Sequence, residues 1–151
     1  MTEKILVPVD LSDEPGSKLA LDEAFKQARA HGSDVTVMTV VPDILAGIDW
    51  RYAIRGEMHG SEEFDMHKIV AEAEKRLEGI VREQIPKGMK ARTLARHGPV
   101  YEEVLDVAEE LGVDQIIMTA HRPTMGEYLL GTNAAKIVRH AKCSVNVLRQ
   151  S

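Results

Sequence analysis

The chain has 151 residues, 19 Lys plus Arg against 24 Asp plus Glu for a net charge of −5, and 44% hydrophobic but only 4% aromatic residues. That length is enough for one domain with a core that needs no covalent staples, and the lone cysteine, Cys143, excludes an internal disulfide or a cysteine-built zinc site. The acidic balance speaks against nucleic acid or an anionic membrane as partner, and with no apolar stretch near about 18 residues and no signal-peptide core the chain is expected to be cytoplasmic, neither exported nor membrane-spanning.

Lys4 to Val9 is a short apolar run closed by Asp10-Leu11-Ser12, the pattern of a strand buried on both faces. Ser12 or Asp13 can cap the helix that follows, Pro15 is tolerated in its first turn, and Leu21, Ala24, Phe25 and Ala28 share one face before Gly32 stops it. Asp34 to Val41 (DVTVMTVV) reads as a second buried strand ended by Pro42. The connection at about 42–62 is long for a loop; it holds Trp50, Arg51, Tyr52 and Arg55 and is a candidate lid or subunit contact.

Glu63 to Ile85 carries Val70, Ala73, Leu77, Ile80 and Val81 at helical spacing. Lys90 to Arg96 alternates like a strand exposed on one face, and Val100, Val104, Val107, Ala108 and Leu111 define a helix closed by Gly112. Asp114 to Thr119 is a fourth strand, Ala134, Ile137, Val138 and Ala141 stripe a last helix, and Ser144 to Arg149 supplies a fifth strand. Strict alternation of this kind predicts an α/β fold, a single open five-stranded parallel sheet with helices on both faces. Ligands of such sheets bind beyond the carboxyl ends of the strands where the topology reverses, which directs attention to Asp10, Val41, His97 and Thr119.

Chemistry concentrates after the fourth strand, in Met118-Thr119-Ala120-His121-Arg122-Pro123 and the helix entry Gly131-Thr132-Asn133-Ala134. A glycine, a hydroxyl and an amide at a helix start offer free N–H groups and a dipole to an anion such as phosphate; the same residues also suit a plain helix cap. Asp10 is placed to accept from a ribose hydroxyl or to turn the chain. Ser12, His121 and Asp10 lack the sharp nucleophile turn of a hydrolytic triad, and His59 and His67 match no standard metal spacing. The phosphate loop and lysine of efficient phosphoryl transfer are missing as well, so any ATP hydrolysis is expected to be slow.

ILVPVDLSD at 5–13, with HRPTMGEYLLGTNAAKIVRHAKCSVNVLR at 121–149, resembles the universal stress protein family, and especially its enterobacterial F/G branch. The resemblance implies a five-stranded α/β sheet and an adenine nucleotide, ATP or AMP, which Mg²⁺ would accompany where phosphates are bridged. It also implies a homodimer through the last strand, 144–149, acting as a stress-response module. Carried over, Pro8, Val9 and Asp10 would meet adenine and ribose and the main chain of Val40 the adenine edge. Met118 and Thr119 would flank base and ribose. Arg122, Gly131, Thr132, Asn133 and Ala134 would face the phosphates, and His121 and Pro123 would join the nucleotide-binding set on either side of Arg122. The glycine motif of nucleotide-binding members is altered: Thr119 and Arg122 stand at its first two glycines, with Arg122 able to offer a charged fork in place of a bare N–H. A slow ATPase, a self-modifying enzyme using Thr132 or Ser12, and a nucleotide-free dimer scaffold are the alternatives.

Overall fold

The computed structural model describes residues 2–42, 66–120 and 132–150. In chain order the elements are β1 (Lys4–Pro8), α1 (Glu14–His31), β2 (Asp34–Val41), α2 (Met66–Gln84), β3 (Ala91–His97), α3 (Val100–Leu111), β4 (Gln115–Thr119), α4 (Thr132–His140) and β5 (Ser144–Leu148). The strands form one five-stranded sheet in the order β3-β2-β1-β4-β5, and every neighbouring pair is parallel. The alternation read from the sequence therefore gives the fold class expected of it.

Side chains alternate along each strand, so the sheet feeds two cores. Ile5, Val7, Val35, Val37 and Ile117 pack with Leu21, Phe25, Leu77 and Val81 of α1 and α2. Leu6, Met38, Ile116 and Met118 pack on the other face with Val104, Val107, Ala134 and Ile137 of α3 and α4. Helices thus cover both faces, which is why the central strands read as largely apolar, β-branched runs rather than as an alternating pattern.

Local signals set most boundaries. Asp13 caps α1, its Oδ1 accepting from the Gly16 N–H at 3.1 Å, and Gly32 ends the helix at φ 71, a left-handed conformation that glycine adopts without steric cost. Gly112 does the same for α3 at φ 64. Three strands run one residue shorter than the apolar pattern, β1 ending at Pro8, β4 beginning at Gln115 and β5 ending at Leu148, and β3 is displaced by one residue, running from Ala91 to His97 instead of from Lys90 to Arg96. Asp114 is spent on a different task, its carboxylate accepting from the Lys4 N–H at 2.8 Å. Val138 corrects the stripe expected on the last helix: it is 44% exposed, because one step of about 100° past Ile137 carries it off the face that Ala134 and Ile137 bury. The start of α2 expected at Glu63 and the connection from 43 onward, with Trp50, lie outside the described residues.

The Asp13 carboxylate also accepts from Gln150 Nε2 at 2.9 Å, which joins the start of α1 to the end of the chain. Asp13→Ala removes both the cap and this tie, and equilibrium urea unfolding is expected to show a loss of about 1–2 kcal/mol.

Candidate functional site

The strand order reverses at β1. The chain leaves β1 toward α1 on one face of the sheet and leaves β4 toward α4 on the other, so the carboxyl ends of these two neighbours form the topological switch point. Their pairing is short there. The β1–β4 register runs from Ile5 with Gln115 to Leu6 with Ile116, whereas β1 stays in register with β2 as far as Pro8 with Met38, and β4 with β5 as far as Thr119 with Leu148. The sheet is stitched on both sides of a crevice and open along it.

The residues beyond β1 are held by a compact set of hydrogen bonds. Val9 N–H donates to the Met38 carbonyl at 2.8 Å, and the buried Thr39 hydroxyl donates to the Val9 carbonyl at 2.9 Å. Asp10 Oδ1 accepts from the Ser12 N–H at 2.9 Å and from its hydroxyl at 2.6 Å. The Asp10 carbonyl accepts from the Asp13 N–H at 2.9 Å and from the buried Ser17 hydroxyl at 3.0 Å. Asp10 is exposed at the rim, its Oδ1 engaged in this turn as the turn-forming role expects and its carboxylate thereby oriented at the end of β1.

The described candidates divide between the two faces. Met118 and Ala134 are buried in the core on the α3–α4 side, against which the half-buried Val40 also packs, and Thr119 is half-buried at the end of β4. Val9 lies on the other side, buried against α1 and α2 with its N–H and carbonyl both engaged, so its part is to hold the loop rather than to offer a free main-chain group. Pro8 is half-buried at the end of β1, next to the opening. His121, Arg122, Pro123 and Gly131 lie outside the described residues.

Asn133 has a partner that its position in the sequence does not reveal. Pro99 stands at the N-cap of α3 and makes no side-chain cap bond; Asn133 Oδ1 instead accepts from the Tyr101 N–H at 3.2 Å. Lys136, one turn further along α4, places its ammonium 4.6 Å from the centre of the Tyr101 ring. The starts of α3 and α4 are therefore joined at the same rim. Thr132 is exposed as the first residue of α4.

Serines and threonines inside apolar or helical patterns are the one sequence signal of the residues that fix the β1 loop. Ser17 and Thr39 sit among core residues, and each bonds a carbonyl of the β1 loop. Gln150, beyond the last strand, carried no pattern at all. Elsewhere, His67 is exposed on α2, and among the described residues no group of three or more His, Cys, Asp or Glu could hold a metal ion. No helix among them is long and apolar enough to cross a membrane.

An open parallel α/β sheet with a crevice at its switch point is the architecture in which α/β proteins take ligands, beyond the carboxyl ends of the strands. The chain belongs to the universal stress protein family, whose model matches residues 1–149. It is 31% identical over 149 residues to universal stress protein G of Shigella flexneri, covering 99% of this chain and 100% of that protein. The solved structure of MJ0577, a universal stress protein of Methanocaldococcus jannaschii, superposes with a TM-score of 0.75 at 26% identity, covering 100% of this chain and 98% of the other. A universal stress protein of Archaeoglobus fulgidus in complex with dAMP shares the fold, with a TM-score of 0.59 at 18% identity and 96% of each chain covered.

Asn133→Ala strips the Tyr101 N–H of its acceptor and is expected to cost about 1 kcal/mol in urea unfolding, while Asn133→Asp keeps an acceptor oxygen and the stability with it. Cys143 lies at the opposite end of the sheet, half-buried against the α3–α4 core; burial pushes its thiol pKa up, and the nearby Asp114 carboxylate adds to the shift. Its thiolate therefore forms only at higher pH than in a free cysteine. Alkylation by iodoacetamide is expected to be slower than that of a model thiol at neutral pH, the gap closing as pH rises or on unfolding.

Proposed function

We propose that this chain binds one adenine nucleotide, ATP or AMP, in the crevice between β1 and β4, and that it works as a homodimeric, cytoplasmic stress-response module rather than as an enzyme of rapid turnover. One observation carries the reading: the β1–β4 register runs no further than Leu6 with Ile116, just where the strand order reverses, in a member of a family that includes a fold relative complexed with dAMP.

In this reading Asp10 accepts from the ribose, its turn already held by Ser12 and Ser17. Pro8 and Met118 provide apolar contact for the base, Val40 its main chain, and Thr119 the ribose side of β4. The phosphates meet Arg122, Gly131, Thr132 and the N-terminal dipole of α4, with His121 and Pro123 shaping the approach. Asn133 Oδ1 is committed to Tyr101, so the amide NH₂ is the group it brings to an anion. Mg²⁺, where it binds, is held chiefly through phosphate oxygens.

The dimer reading draws support from the two sheet edges. β3 carries Arg92 and Arg96, charges of the kind that block edge pairing, whereas β5, SVNVL, carries none. The exposed Val138 lies on the helix that precedes β5.

Denaturing the purified protein and identifying the released nucleotide by chromatography is expected to yield an adenine nucleotide at up to one per chain. Calorimetric titration of stripped protein is expected to show saturable ATP or AMP binding, weakened about tenfold or more by Arg122→Ala through loss of a charge-assisted contact. An empty protein that ignores millimolar ATP rejects the reading. Light scattering is expected to return twice the chain mass; a single-chain mass at working concentration rejects the dimer.

A further inference from the structure

Gln150 follows β5 by two residues, and its side-chain amide reaches two separate parts of the rim. Nε2 donates to Asp13 Oδ2 at 2.9 Å and, over a longer 3.4 Å, to the Ala120 carbonyl. An amide nitrogen carries two hydrogens, so one atom can serve both acceptors. Asp13 caps α1, the element the chain enters from β1, and Ala120 is the residue at which it leaves β4. The two acceptors thus belong to the two lips of the open crevice.

The surroundings are shaped for this contact. A Cβ at Gly16 would lie 2.3 Å from Asp13 Oδ2 and 2.9 Å from Gln150 Nε2, so a side chain there must push the carboxylate and the amide out of the positions in which they meet above the first turn of α1. Ala120 is also held by its main chain, its N–H donating to the Leu148 carbonyl at 2.9 Å. The end of β5 therefore grips the exit of β4 through backbone and side chain, and extends one more bond across to the β1 side.

We propose that Gln150 is a positioning residue of this crevice, clasping its β1 lip to its β4 lip and presetting the gap that the ligand enters. The proposal rests on the crevice being the adenine nucleotide site. A gap already held at its bound width spares the ligand the cost of ordering it.

The test is calorimetric titration of the full chain with ATP and with AMP, alongside melting temperatures, for the wild type, Gln150→Ala, Gly16→Ala and the double variant D13N/Q150E. Gln150→Ala is expected to bind about five- to tenfold more weakly, the worth of one hydrogen bond. Gly16→Ala, which drives a methyl into the same contact, is expected to weaken binding comparably. In D13N/Q150E the carboxylate introduced at position 150 accepts from the amide introduced at position 13, restoring the tie to α1 and the melting temperature. It cannot donate to the Ala120 carbonyl, so the affinity is expected to stay low. Wild-type binding matched by Gln150→Ala overturns the clasp alone, as does a double variant that recovers affinity together with stability, since that marks a merely structural role. A wild type that binds neither nucleotide rejects the underlying reading and the clasp with it.

Discussion

The fold turns on how β1 is bound to its neighbours. It lies at the centre of the sheet, buried on both faces and paired on both edges, but the two edges are unequal. On the β2 side the pairing continues past the strand end, through Val9 N–H to Met38 and the Thr39 hydroxyl to the Val9 carbonyl. On the β4 side it runs only to Leu6 with Ile116. A parallel sheet whose strand order reverses must send the two flanking connections to opposite faces, and no helix then covers the seam between them. The crevice is a consequence of topology, and the side chains around it refine what topology leaves open.

That refinement depends on hydrogen bonds between residues far apart in the chain. α3 starts at a proline that makes no side-chain cap, and Asn133 supplies the acceptor from α4. α1 has its own cap in Asp13, and Gln150 engages the second oxygen of the same carboxylate. Each of these contacts joins a helix start to a distant element at the carboxyl rim. The rim therefore gains rigidity from polar bonds where the apolar core, centred on the middle of the sheet, no longer reaches.

The secondary structure was legible because buried parallel strands and amphipathic helices leave different periods. KILVP and DVTVMTVV are runs dominated by apolar and β-branched residues, whereas Leu77 and Val81, or Val104 and Val107, recur at helical spacing. Val138 was misplaced because a stripe of apolar residues does not say how wide the covered face is; α4 is a short helix near the sheet edge, and a narrow strip of it is buried. The placement of Asp10, Met118 and Thr119 near the rim followed from their positions at strand ends. Which partners hold Asn133 and Val9 did not, because hydrogen bonding across 30 or more residues has no local pattern.

By itself the sequence determined the class of fold, the order of its elements, the helix stops at Gly32 and Gly112, and the family, because these rest on local periodicity, backbone conformation and motif. Only the tertiary structure decided the strand order, the short β1–β4 register that opens the crevice, and the pairing of Gln150 with Asp13 and Ala120. Those features are distances between segments brought together by folding. A residue such as Gln150, polar and beyond the last strand, acquires its meaning from what the sheet sets beside it.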